Sequence, residues 1–180
     1  MSPPSIAKLY ADDLKAYCPA THDGEGRTFN LTMAKITEWS NNWQLQISTE
    51  KSKWLLITNK KVVSSESNFK FELGGTILPR VFEALDLGIN FNSRLTFTTH
   101  ISIMITKAKQ RLFLLKKSFH SKNPSILILA FKTYIIPLLE YCSPVWNPHT
   151  IADIRRIESV QRLFAKKLAG FSGLKYPDRL

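Results

Sequence analysis

Leu9-Tyr10-Ala11-Asp12-Asp13-Leu14 is the stretch from which the organisation of this chain is read. Two short apolar stretches, Ile6 to Ala11 and Leu14 to Tyr17, flank the paired aspartates. That order predicts strand, acidic turn, strand, which is a hairpin with carboxylates at its tip. Pro19 to Arg27 is polar, contains Gly24 and Gly26, and ends the second strand. A helix is predicted from Leu31 to Trp43, with Trp39 and Trp43 one turn apart on a shared face. Beyond it, Gln44 to Ser48 and Trp54 to Thr58 read as strands joined by a turn at Thr49 to Lys53. Lys60 to Asn68 reads as a polar loop, and Phe69 to Leu73, Thr76 to Leu78 and Ala84 to Phe91 as further strands.

The second half changes period. Ile101, Ile105, Ala108, Leu112, Leu115 and Phe119 recur at steps of four and three, the spacing of a helix with one apolar face. Ile126 to Leu139 is the most apolar segment; Lys132 and Pro137 interrupt it, and a bilayer span needs about 20 residues, so a buried core helix is expected. Thr150 with Asp153 forms a helix-start signal ahead of Ile154, Ile157, Val160, Phe164 and Leu168, with Gly170 placed to stop the helix. The fold class expected is therefore α+β: a mixed first half with short antiparallel strands, then an all-helical region.

Composition supports a globular chain: 180 residues, 44% hydrophobic and 11% aromatic. The net charge of +11 and pI near 9.8 favour polyanionic partners. The charge is concentrated, since residues 1–99 carry 11 basic against 10 acidic side chains and residues 100–180 carry 14 against 4. At 100° per residue Arg155, Arg162 and Lys166 share the face opposite Ile157, Val160, Phe164 and Leu168. They are candidate phosphate contacts, joined by Lys107 and Arg111 on the helix of Ile101 to Phe119; a merely solvated face is the competing reading. Trp146 and Tyr141 are expected in the core rather than as base-stacking platforms.

Two widely separated cysteines, Cys18 and Cys142, give neither a disulfide scaffold nor zinc spacing; Cys18 with His22, and Cys142 with His149, are only pairs. No structural metal, nucleophile constellation or glycine-rich phosphate loop is read. The start of the chain, Met1 to Ile6, has no signal-peptide pattern, so an intracellular location, cytoplasmic or nuclear, is expected.

Leu9 to Leu14 resembles the Tyr/Phe-Ala-Asp-Asp box of reverse transcriptases. Further pieces follow in the order of the non-LTR retrotransposon enzymes: Trp39 and Trp43, Leu45-Gln46-Ile47, Lys51-Ser52, then Leu87-Gly88-Ile89 with Leu95, Phe97 and His100-Ile101. Tyr134, Pro137, Leu139 to Ser143, Val145-Trp146, Pro148 and Ile157-Glu158 to Gln161-Arg162 resemble that family's thumb pattern. The resemblance implies an RNA-directed DNA polymerase fragment, with the C-terminal part of a palm over residues 1–98 and a helical thumb over 99–180. It implies Asp12 as a ligand of Mg²⁺, Asp13 as its support and Lys51 as a loop lysine assisting pyrophosphate departure. Ser48 departs from the asparagine often found in that segment. The partners implied are a template-primer duplex and, for the intact enzyme, deoxynucleotides, with no membrane and no obligate protein partner. Two-ion polymerases bridge ions about 3.5 to 4 Å apart with several carboxylates, and the family's other catalytic aspartate lies upstream of the box. The chain as given is therefore expected to have no polymerase activity alone and to stop within the thumb. A non-catalytic basic nucleic-acid-binding module and a helical interaction domain are the alternatives.

Overall fold

The computed structural model describes residues 5–19, 26–59, 69–118 and 123–166. It has the expected α+β character and divides into two compact units, one of residues 1–84 with 92–95, the other of residues 85–91 with 96–180. Among the described residues no helix is long and apolar enough to cross a membrane.

In the first unit β1 (Ile6–Tyr10) and β2 (Asp13–Tyr17) pair antiparallel, with Leu9 opposite Leu14 and Tyr10 opposite Asp13. Ala11 and Asp12 make the turn, and Ala11 takes a positive φ of 51° to let the strands close. Helix α1 (Arg27–Asn42) starts one turn earlier than its apolar spacing predicts. Gly26 precedes it at φ 70°, and a Cβ there would lie 2.6 Å from the Phe71 ring, so only glycine fits. Phe29, Met33, Ile36 and Ser40 form its buried face. Trp39 and Trp43 lie off that face and are exposed, Trp43 the more so.

Gln44 to Ser48 is not the strand that was expected. The helix ends in a Schellman closure in which the Leu45 N–H donates to the Ser40 carbonyl at 2.9 Å and the Gln44 N–H to Asn41 at 3.2 Å. Gln44 occupies the left-handed position at φ 54°, where glycine or asparagine would have announced the stop. The following strands are short. β3 (Trp54–Leu55) pairs with β6 (Arg80–Val81) in parallel, not antiparallel, whereas β4 (Glu72–Leu73) and β5 (Thr76–Ile77) form a hairpin over Gly74-Gly75. Phe29, Met33, Ile36, Phe71, Leu73 and Leu78 make the core, against which Leu14 and Ala16 of the acidic hairpin pack.

Ala84 to Phe91 is two strands rather than one: β7 (Glu83–Asp86) and β8 (Ile89–Asn92), reversed at Leu87-Gly88 with φ of 44° and 83°. Positive φ at both central residues is the requirement of a tight hairpin turn, and only Gly88 meets it without strain.

The second unit contains α2 (Thr98–Ser118), α3 (Pro124–Tyr134), α4 (Ile136–Glu140), α5 (Ser143–Trp146) and α6 (Ile151–Ala165). Ile101, Ile105, Ala108, Leu112 and Leu115 are buried as their spacing predicts, and Met104 joins them. The segment expected to be a buried core helix is buried on one side only. Ala130, Phe131, Ile135 and Leu139 face inward, whereas Ile126, Ile128, Leu129 and Tyr134 are exposed. Asn123 caps α3 by accepting the Ser125 N–H at 2.9 Å. Pro137 lacks the N–H needed to continue α3, and the chain restarts as α4. Phe131 stacks on Phe164 of α6 at 4.2 Å between ring centroids. The expected Lys60 to Asn68 loop, Gly24, Phe119, Leu168 and the Gly170 stop lie outside the described residues.

Phe164→Ala, which removes one side of that stack, should lower the stability of the helical unit by about 3 to 5 kcal/mol. Leu129→Ala, on the exposed side of α3, should stay within about 0.5 kcal/mol. Denaturant titration followed by far-UV circular dichroism measures both.

Candidate functional site

The acidic hairpin presents Tyr10, Asp12 and Asp13 to solvent. Side chains alternate across a strand, so Asp13, opposite Tyr10, shares a face with Lys15 and Lys8. Leu9, Leu14, Ala7 and Ala16 form the other face, and Leu14 and Ala16 anchor the hairpin on the core. Apolar contact on one side thus leaves the tip available.

Mg²⁺ is commonly held through one or two carboxylates together with water and substrate phosphates. Asp12, an exposed carboxylate on a two-residue turn, fits one such ligand position. Among the described residues no three His, Cys, Asp or Glu side chains gather closely enough to hold a metal, and these residues do not form a two-ion centre.

Lys51 is exposed in the turn that follows Ser48. Ser48 shapes this turn: its Oγ accepts the Lys51 N–H at 3.4 Å, and its carbonyl accepts the Ser52 hydroxyl at 2.7 Å. Asparagine side chains make turn bonds of the same kind. Among the described residues no hydrogen bond or ion pair joins Lys51 to Asp12 or Asp13; the two features share a unit without forming a bonded cluster.

The basic candidates belong to the second unit. Lys107 and Arg111 are exposed on α2, one turn apart, Arg155 is exposed on α6 and Lys166 at its C-cap. Arg162 is less available than its helical position suggests. Its Nη2 donates to the Arg155 carbonyl at 2.7 Å and lies 3.7 Å from Glu158 Oε2.

Sequence reasoning missed the polar centre of this unit. Asp153 does begin α6 with Thr150, whose Oγ1 accepts the Asp153 N–H at 3.1 Å. Its side chain is also a buried hub, since the residue is only 6% exposed. The Thr98 hydroxyl donates to its Oδ2 at 3.0 Å, the Thr150 hydroxyl to the same oxygen at 3.0 Å, and Arg156 to its Oδ1 at 2.9 Å. Arg156 also donates to Ser102 Oγ on α2. Burial raises the Asp153 pKa, but hydrogen bonds from Thr98, Thr150 and Arg156, with the Arg156 charge, outweigh it and leave the group below its ordinary value.

Two stretches of the family resemblance meet in this unit. The Tyr141 hydroxyl donates to the Leu87 carbonyl at 3.0 Å, tying α4 to the β7–β8 turn. Tyr141 is 56% exposed, so it is not the core residue that was expected; it works through its polar end. Trp146 is buried as expected, and its Nε1 donates to the Tyr141 carbonyl at 2.7 Å. His100 lies beside Trp146, with its Nδ1 accepting the Asn90 N–H at 3.4 Å. Burial, and then the charge of Lys107, lower its pKa and keep the imidazole neutral.

The first unit thus carries an exposed acidic hairpin turn and the second a cationic helical surface. The chain is 26% identical over 161 residues to a probable RNA-directed DNA polymerase from transposon BS of Drosophila melanogaster, covering 87% of the chain and 18% of that protein. It is 22% identical over 139 residues to a probable RNA-directed DNA polymerase from transposon X-element of the same species, covering 76% of the chain and 15% of that protein. An uncharacterized Caenorhabditis elegans protein is 28% identical over 98 residues, 53% of the chain and 50% of the relative. The chain thus spans under a fifth of the length of the two transposon proteins, to which it has a reverse-transcriptase-like relationship. No family model and no solved structure matches.

The two titrating groups predict acid sensitivity in two stages. The folded-state pKa of His100 is lowered, so stability should fall as pH drops below about 6.5, through the window in which the unfolded chain binds the proton first. Asp153 also has a lowered folded-state pKa, so its contribution is present above an unfolded pKa of about 3.9 and is lost as pH falls through the folded value. His100→Asn, which keeps an acceptor for Asn90, should flatten the first stage, and Asp153→Asn the second. Denaturant midpoints measured across pH test both assignments.

Proposed function

We propose that this chain is the hairpin-bearing end of a reverse transcriptase palm followed by the start of its thumb, from a non-LTR retrotransposon. The observation that carries the reading is an exposed Tyr-Ala-Asp-Asp sequence at a tight hairpin turn, in a chain similar over 87% of its length to a transposon RNA-directed DNA polymerase. In this reading Asp12 supplies one carboxylate to Mg²⁺, and Asp13 supports it from the adjoining strand position. The ion, when bound, would activate a primer hydroxyl and neutralise the leaving pyrophosphate. Lys51 offers a cation, and a proton donor, to the departing pyrophosphate of a deoxynucleotide. Arg155, Lys166, Lys107 and Arg111 meet phosphates of a template-primer duplex, and Arg162 does so on exchanging its bond to Glu158.

A non-catalytic nucleic-acid-binding module is the second reading, favoured by the lack of a three-carboxylate cluster among the described residues. Primer extension bears on both. The purified 180-residue chain, given Mg²⁺, template-primer and deoxynucleotides, is expected to extend no primer, because Asp12 alone cannot bridge two ions. Extension that Asp12→Ala abolishes would show that the chain assembles a complete centre.

Duplex binding tests the family reading itself. Replacing Arg155, Arg162 and Lys166 with Ala should weaken binding at low salt and flatten the salt dependence by about 0.9 per lost phosphate contact on DNA. Arg162 should account for the smallest share. An unchanged slope in a folded triple variant would make the α6 cations ordinary solvated surface.

A further inference from the structure

The C-terminal half of α2 carries a surface that the duplex reading leaves unused. Phe113 is 63% exposed and Leu114 58% exposed, although the same helix buries Ile101, Met104, Ile105, Ala108, Leu112 and Leu115. At 100° per residue, Lys109 and Lys116 lie within about 60° of Phe113 on one side, and Lys117 and Gln110 on the other. Lys107 and Arg111 lie more than about 100° from Phe113 and border the surface only on its Leu114 side. An open groove of about 590 Å³ runs along it, lined by Thr106, Lys109, Gln110, Phe113 and Leu114. Lys109, Lys116 and Lys117 are all exposed.

Charge identifies the occupant. No aspartate or glutamate occurs between Asp86 and Glu140, so the lysines around Phe113 have no acidic neighbour in their own stretch of chain. A docked apolar protein surface would bury Phe113 at the cost of desolvating these ammonium groups. A polyanion would be attracted by them. Phe113 then selects the kind of polyanion, because base faces inside a duplex are covered by their neighbours, whereas an unpaired base offers its π-face to an aromatic ring.

We propose that the Phe113 face of α2 binds single-stranded nucleic acid: one base stacks on Phe113, and Lys109, Lys116 and Lys117 hold the flanking phosphates. Gln110 and Thr106 border the groove and supply polar contacts that suit any base. Binding here is tolerant of sequence and independent of the duplex contacts of α6.

The test uses the full chain and a fluorescent oligodeoxythymidylate about 20 nucleotides long, longer than one site of this type needs. Phe113→Leu keeps an apolar side chain but removes the ring, and is expected to weaken binding by about 5- to 150-fold at constant salt slope. Phe113→Trp should bind at least as well as the wild type. Alanine at Lys109, Lys116 and Lys117 together should flatten the salt slope by up to about 0.7 per residue. Phe113 is exposed, so circular dichroism should be unchanged in each variant. Equal affinity of Phe113→Leu and the wild type overturns the proposal, as does failure of the wild type to bind the oligonucleotide. Adsorption to phosphatidylserine–phosphatidylcholine vesicles in place of oligonucleotide binding would reassign the face to membrane. Duplex affinity should not change in Phe113→Leu, so failure here is separable from failure of the α6 contacts.

Discussion

The helical unit is organised by one buried carboxylate. Removing Asp153 from water is costly, and three side-chain donors offset that cost: Thr98 from α2, Thr150 at the N-cap of α6 and Arg156 from its second turn. Thr98 reaches Asp153 from 55 residues away in sequence, so the bonds fix where α6 begins against α2. From that origin helical geometry determines the rest. Val160 and Phe164 turn inward to Phe131 and the α2 stripe, and Arg155 and Lys166 turn outward. The cationic face of α6 is thus a geometric consequence of a buried anion near its first turn.

Much of this organisation is legible in the amino-acid order because the signals are local. The 4-3 recurrence from Ile101 to Leu115, the Thr150 cap and the apolar runs flanking Asp12-Asp13 each depend on side chains within a turn or two. What escapes the sequence depends on backbone states without a residue signature. Gln44 and Leu87 adopt positive φ where glycine or asparagine would be diagnostic, so the stop after α1 and the break between β7 and β8 are silent. The parallel pairing of Trp54 with Arg80 is silent too, because nothing near either residue encodes its partner. Apolar density misleads in α3, where a segment hydrophobic enough for full burial leaves Leu129 and Tyr134 in solvent.

The candidate site divides along the same line. Asp12 and Asp13 are recognisable because a hairpin tip is written in adjacent residues, and the structure keeps them exposed. Arg162 shows the limit of helical projection. Angle alone places it with Arg155 and Lys166, but its guanidinium turns back along the helix to a carbonyl and a glutamate. Tyr141 shows the opposite error, since an aromatic expected to contribute area contributes a hydroxyl to a carbonyl 54 residues away.

The threading of the chain carries a consequence for how it is made. The first unit needs Asn92–Leu95 as well as residues up to Ala84, and the second claims Leu85–Phe91 before its own helices begin at Thr98. During synthesis, therefore, the first unit cannot close until the opening hairpin of the second has already left the ribosome. No single cut separates the two. Ending at Ala84 strips the Ser93 N–H bond to Phe82 and the Thr58 N–H bond to Ser93, whereas starting at Thr96 discards Ile89 from the helical core. Each unit therefore draws part of its chain from within the sequence span of the other.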